Sequence, residues 1–292
     1  MYKKDKVRLL NGEEISYIKH GSGDQTLLLI HANYGSSLMY IDLLEKIDEN
    51  FTIYAVDLRG YGDSTYHRRI NGLEDLAEDM NFFIRQLKLS NIFLIGWGMG
   101  GGVAMQLAAK KKEIKKLVLI SSTSYKGYPL YKKDKDGEIS YGETFNSADE
   151  LLNDEVDVKP VLNIINNRDV SKMEKYLQKY FYNNVDYKYL NLMAIEALKQ
   201  RNLIDINFAL ASFNLGSMHN FYTAGNHDIN NINIPVLHVI GSGDVITPKY
   251  MALDNYEPLK NNSEVIKVNY CGHSLFAVNN EIINSIINFI NK

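Results

Sequence analysis

Six apolar runs, each too short to form a helix, narrow the folds open to this chain more than any other feature: residues 26–30, 52–56, 91–95, 116–120, 235–240 and 264–268. They lack the polar alternation of a strand with one wet face, so they read as strands buried on both faces in a parallel sheet. Helical patterns at 73–87 and 101–111 separate the early runs, and another at 280–291 closes the chain. Strand and helix alternating in this way predict an α/β fold with a doubly wound sheet. Two further strands, 6–10 and 14–18, flank Asn11-Gly12, the dipeptide of a two-residue hairpin, so the sheet of about eight strands is expected to start antiparallel.

The rhythm stops between about Tyr125 and Asn233, where tyrosine, asparagine and lysine abound and helical patterns such as 170–182 and 187–200 dominate. The strand pattern resumes at Pro235. The segment therefore reads as a helical cap, residues 125–233, inserted into a core domain made of 1–124 and 234–292; a separate tandem domain is the alternative. A length of 292 residues with 45% hydrophobic content suits either.

Formal net charge is −3, so no basic field exists to hold nucleic acid or an anionic membrane surface. The apolar runs fall far short of a membrane span, and residues 1–8 are rich in lysine without an apolar h-region; a cytoplasmic location is expected. Cys271 is the sole cysteine, which excludes an internal disulfide and a cysteine-based metal site. Histidines 20, 67, 219, 227 and 238 show no metal-ligand spacing and read as structural, so neither a metal nor a cofactor is expected.

Chemistry is concentrated at strand ends. After the run ending at Ile95 comes Gly96-Trp97-Gly98-Met99-Gly100-Gly101, leading directly into a helix. Gly96, Gly98 and Gly101 match the dinucleotide fingerprint G-x-G-x-x-G literally, but that motif belongs after the first strand, with an acidic residue ending the next one. Here the next strand ends in Ser121-Ser122-Thr123.

Gly96-x-Gly98-x-Gly100 resembles instead the G-x-S-x-G nucleophile elbow of α/β hydrolases, with glycine in place of serine. Four more segments carry the same resemblance: His31-Ala32-Asn33 after an early strand, Asp57-Leu58-Arg59-Gly60-Tyr61-Gly62-Asp63-Ser64, Gly241-Ser242-Gly243-Asp244-Val245-Ile246-Thr247-Pro248, and Cys271-Gly272-His273-Ser274. They cover both ends of the chain and stand in the family's order of elbow, acid and histidine. The overall pattern is nearest to small bacterial carboxylesterases.

The resemblance implies an α/β-hydrolase fold, Asp244 as triad acid, His273 as base and Gly98 at the nucleophile position. It implies an oxyanion hole made by the N–H groups of Asn33 and Met99, and a pocket for a small ester or lactone that Ala32 and Trp97 touch. Phe208, Phe213 and Phe221 are candidates for its roof, although packing is the commoner role for such residues. Cys271 lies two residues from His273 but away from the elbow, so it does not stand in for the nucleophile.

Without an attacking oxygen, turnover by the covalent route should fall on the order of a million-fold. The chain is thus expected to bind carboxylic esters far better than it cleaves them. A natural, non-catalytic ligand-binding protein on the same fold is the alternative, and a glycine does not reveal which residue was lost. The persistence of Asp244 and His273 favours a serine deliberately replaced.

Overall fold

The apolar runs assemble side by side into one sheet. The computed structural model describes residues 2–47, 50–181, 185–275 and 280–292. Its eight-stranded sheet contains β1 (Lys4–Arg8), β2 (Glu14–His20), β3 (Gln25–Ile30), β4 (Phe51–Val56), β5 (Ile92–Trp97), β6 (Ile114–Ile120), β9 (Val236–Gly241) and β10 (Ser263–Val268) in the order β1-β2-β4-β3-β5-β6-β9-β10. Strands β1, β2 and β4 pair antiparallel and every later pairing is parallel. Between β6 and β9 the chain makes a small separate hairpin of β7 (Tyr131–Lys133) and β8 (Ile139–Thr144).

Side chains on β3 show why the strands read as apolar throughout. Leu28 and Ile30 enter one core, Leu27 and Leu29 the other, and all four are fully buried. Each contributes roughly 1.5–3 kcal/mol relative to exposure. Helices α2 (Leu73–Gln86) and α3 (Met99–Ala108) cover the first face, while α10 (Asn280–Asn291) packs Ile282, Ile283 and Ile286 on the second. The remaining helices are α1 (Ile41–Leu44), α4 (Ala148–Leu151), α5 (Val158–Asn166), α6 (Val170–Tyr180), α7 (Tyr187–Ala197), α8 (Leu203–Ser212) and α9 (Lys249–Leu259).

The first hairpin differs from expectation. Strand β1 ends at Arg8, two residues early, because the turn has three residues rather than two: Leu9 N–H donates to Glu13 at 2.7 Å and Gly12 N–H to Leu9 at 3.1 Å. Gly12 takes φ +90°, the left-handed residue that closes a three-residue loop. Asn11 is occupied elsewhere, donating to Asp79 at 2.6 Å.

Helices α4 to α8 lie between β6 and β9 in the chain, and their buried residues join the cores of the sheet. Ile206, Ala209 and Leu210 of α8 share a cluster with α2 and α3, whereas Met173 and Leu177 of α6 and Met193 of α7 share one with α10. A small cluster of Phe145, Leu151 and Val158 belongs to the segment itself. The helical pattern expected to reach Tyr182 is seen to Tyr180; Tyr182 lies outside the described residues.

Candidate active site

The glycine-rich turn is forced by close approach. A methyl group on Gly96 would meet backbone of Gly100 and Gly101, and one on Gly100 would meet the carbonyls of Ile30 and His31. Packed this tightly against β3, the chain must reverse sharply between β5 and α3, and it does so at Gly98 with φ 55° and ψ −119°. That conformation favours glycine. Gly98 N–H donates to Ile120 at 2.9 Å, and its carbonyl accepts from Thr123 at 3.1 Å and Gly101 at 3.0 Å, so the turn is fixed on both sides.

The turn after β9 carries Asp244, 6% exposed. Its Oδ1 accepts the N–H groups of Ile246 and Thr247, each at 2.9 Å, and Oδ2 lies 2.7 Å from the Thr247 hydroxyl and 2.9 Å from His273 Nδ1. The Thr247 hydroxyl also reaches the Ser121 carbonyl at 2.8 Å. Burial alone would raise the Asp244 carboxyl. The His273 charge and hydrogen bond, with the Thr247 donors, outweigh it and bring the pKa down to about 2.

His273 follows β10 and is buried. Trp97 Nε1 donates to its carbonyl at 3.0 Å, and the Phe181 ring meets the imidazole edge-on at 5.5 Å. The other imidazole nitrogen faces the elbow: a Cβ built on Gly98 would stand 2.9 Å from His273 Nε2, 3.2 Å from Cε1 and 3.0 Å from the Ala32 methyl. The fold thus brings Gly98, Asp244, His273 and Ala32 to one point at the carboxyl ends of the strands.

Asn33 and Met99 flank that point. Among the described residues neither backbone N–H has a partner. The Asn33 carboxamide oxygen accepts from Tyr61 Oη at 2.8 Å and Gln200 Nε2 at 2.9 Å. Trp97 is wholly buried in the core rather than lining open space. Of the phenylalanines, Phe213 is buried in the core that packs on α3, Phe208 meets Tyr222 edge-on, and Phe221 is exposed.

Several polar residues of the motif segments hold loops. His31 Nε2 accepts the Leu58 N–H at 3.0 Å and its Nδ1 lies 2.7 Å from the Ala32 carbonyl, which fixes a neutral tautomer; burial lowers its pKa to about 4. Asp57 accepts from Ser37 N–H at 2.8 Å, Asp63 N–H at 3.0 Å and Lys4 at 2.8 Å. Arg59 makes a two-pronged pair with Asp79 at 2.7 and 2.9 Å. From the far end of α7, Arg201 N–H donates to Gly60 at 2.9 Å and Asn202 Nδ2 to Arg59 at 2.9 Å, clamping the same loop. Sequence reasoning missed this clamp and Thr247; only an asparagine-rich segment hinted at the former.

Among the described residues no group of three or more His, Cys, Asp or Glu side chains is placed to hold a metal ion, and no helix is long and apolar enough to cross a membrane.

Comparison with known proteins agrees with the fold. A pimeloyl-[acyl-carrier protein] methyl ester esterase of Yersinia enterocolitica is 33% identical over 104 residues, 35% of this chain and 38% of that protein. An α/β-hydrolase superfamily protein of Bacillus subtilis is 28% identical over 250 residues, covering 81% and 80% of the two chains. Alignments with three of the curated relatives span only 26–39% of those proteins' lengths. Among solved structures, an esterase from Exiguobacterium antarcticum superposes with a TM-score of 0.74 at 20% identity over 100% of both chains. An enol-lactonase from Burkholderia xenovorans gives 0.75 at 14% identity over 99% of this chain and 100% of the other. The sequence profile of the α/β hydrolase fold matches residues 25–280, and the chain belongs to that family.

Proposed function

We propose that this protein carries the site of a carboxylic ester hydrolase in which Gly98 occupies the nucleophile position, so that it recognises esters or lactones and turns them over at near-background rates. The observation that carries this reading is the placement of His273 Nε2 2.9 Å from where a side chain on Gly98 would begin, with Asp244 2.9 Å behind the imidazole. Asp244 fixes the tautomer of His273 as an acid partner does, and the N–H groups of Asn33 and Met99 supply the oxyanion donors. Ala32 walls the pocket, Trp97 supports His273 from behind, and residues 125–233 act as the cap. The esterase and lactonase relatives support an ester or lactone as the class of substrate.

The test is hydrolysis of a panel of p-nitrophenyl esters by the protein, by Gly98→Ser, and by Gly98→Ser carrying His273→Ala. A gain of several orders of magnitude in Gly98→Ser that His273→Ala abolishes supports the reading; background rates throughout refute it.

Two contacts favour a second reading, a ligand-binding protein without catalysis. The Ala32 methyl stands 3.0 Å from the missing Cβ, and Phe181 closes over His273. A small molecule retained through purification and released on denaturation, seen by mass spectrometry, supports that alternative.

A further inference from the structure

The junction between α7 and α8 grips two loops of the sheet. Glu196 pairs with Lys199 at 2.7 Å and lies 3.6 Å from Lys4 of β1, and Lys199 reaches Asp63 at 3.0 Å. Arg201 donates to the carbonyls of Tyr61, Gly62 and Ser64, and Asn202 to that of Arg59. These contacts hold the loop from Asp57 to Ser64. Gln200 reaches a second loop, the one that carries Asn33, 167 positions earlier in the chain.

Gln200 is 3% exposed. Its Nε2 donates to Asn33 Oδ1 at 2.9 Å and to Asn202 Oδ1 at 3.0 Å, while Oε1 has no partner among the described residues. The neighbours dictate that orientation. The Tyr34 N–H donates to Asn33 Oδ1 at 3.1 Å, which identifies that atom as the oxygen. Asn202 turns its Nδ2 to the Arg59 carbonyl at 2.9 Å and so faces Gln200 with its oxygen. Two acceptors require the amide NH2 of Gln200 between them. A buried acceptor left without a donor costs free energy, so the bond to Asn33 is made against that cost.

Asn33 Oδ1 collects three donors in all, Tyr61 Oη at 2.8 Å completing the set. The asparagine side chain is short, and a carboxamide pinned by three donors also fixes the Cα and the direction of the backbone N–H. That N–H has no partner among the described residues. The following residue, Tyr34, stands at φ 58°, a conformation that costs a non-glycine residue free energy and persists only where its surroundings hold it.

We infer that Gln200 is a positioning residue for the Asn33 N–H, so that the segment between β6 and β9 helps to build the oxyanion hole. The inference rests on the ester-hydrolase reading, in which that N–H meets the developing negative charge; the effect of such a donor falls off with small displacements.

Kinetics of p-nitrophenyl acetate hydrolysis in the Gly98→Ser background test it. The variants are Gln200→Met, which keeps the length of the side chain and removes its amide, Asn33→Ala, which keeps the backbone N–H, and the two together. Gln200→Met should lower kcat by about tenfold at a KM unchanged within about twofold, and Asn33→Ala alone should lower kcat to a similar extent. Once Asn33→Ala has removed the link, Gln200→Met should have no further effect. Full kcat in either single variant, a rise in KM alone, or an undiminished loss from Gln200→Met in the presence of Asn33→Ala overturns the inference. Amide NMR spectra of the protein with and without Gln200→Met need no serine and verify that the variant is folded: the Asn33 amide should move and the Met99 amide, on α3, should stay. An Asn33 amide that stays also overturns the inference. Background rates from Gly98→Ser would refute the ester-hydrolase reading; a moved Asn33 amide would then keep the tie to Gln200, while its oxyanion role falls with that reading.

Discussion

Gly98 and Ala32 should behave as a matched pair. A serine at position 98 places its Cβ 2.9 Å from His273 Nε2 and 3.0 Å from the Ala32 methyl. The imidazole is the end of a side chain and can tilt against its Asp244 bond, but a methyl fixed to the backbone can move only with the chain. Gly98→Ser therefore meets two costs: a side chain at φ 55°, about 1–3 kcal/mol, and overpacking, about 1–3 kcal/mol. Shrinking Ala32 to glycine relieves the second and leaves the first. With about 2–4 °C of Tm per kcal/mol at this size, a combined cost near 3 kcal/mol lowers Tm by about 6–12 °C in Gly98→Ser. The assay is a double-mutant cycle of Gly98→Ser and Ala32→Gly by thermal and urea unfolding, with labelling by a fluorescent phosphonate reporting on serine reactivity. We expect a favourable coupling of about 1 kcal/mol and faster labelling of the double variant. Strict additivity, with equal labelling of Gly98→Ser and the double variant, refutes the reasoning.

The Asp244 pKa, brought from 3.8 to about 2, is a depressed carboxylate. Its contribution, on the order of 2 kcal/mol, is complete above pH 4 and is lost as pH falls toward 2; stability of Asp244→Asn measured over that interval should show a flatter acid loss, and an identical slope contradicts the assignment. His31 and His238 are buried bases lowered from 6.5 to about 4, so the unfolded chain binds more protons between those values. Stability should be full above pH 6.5 and fall by up to about 3 kcal/mol per histidine toward pH 4, with His238→Gln losing less in urea titrations; a pH-independent midpoint rejects this. Thr247→Val removes the hydroxyl shared by Ser121 and Asp244 and should cost about 1–3 kcal/mol, read as a lower urea midpoint at unchanged m-value. A midpoint equal to that of the parent would show the hydroxyl to be dispensable.

The sheet was legible because inner parallel strands are wet on neither face, and a run such as Leu27-Leu28-Leu29-Ile30 admits no other comfortable place; the run at 264–268 departs from this, since β10 is the edge strand and leaves Glu264 and Lys267 exposed. The first turn was less so, since Asn11-Gly12 suits both a two-residue turn and the three-residue turn observed, and only the Leu9–Glu13 pairing decides between them. Asp244 and His273 were readable from the turns that carry them. Their supports were not: the Trp97 indole on the His273 carbonyl spans 176 positions and Gln200 on Asn33 spans 167, and no local pattern announces either contact. The segment from Asp57 to Ser64 was recognisable as a motif, yet its ionic residues hold a loop, with Asp57 under Lys4 and Arg59 on Asp79.

The same supports bear on how the nucleophile position came to hold glycine. Retention of Asp244 and His273 favoured a serine deliberately replaced, on the premise that a site without chemistry has no need of an acid and a base. The structure weakens that premise. Asp244 gathers two backbone N–H groups and a hydroxyl as well as the imidazole, organising the whole turn after β9. His273 is anchored by Trp97 through its carbonyl and fills the space between Phe181 and the elbow. Removing either would strand buried donors or open a cavity, at a cost of several kcal/mol. Both therefore have a structural role beside any catalytic one. The buried Ala32 is the further neighbour, its methyl 3.0 Å from where a nucleophile's Cβ would begin. A Cβ restored there would require Ala32 and the His273 imidazole each to give by a few tenths of an ångström. The coupling between positions 32 and 98, more than the presence of the acid and the base, therefore bears on the choice between a deliberately replaced serine and a natural chain that binds without cleavage.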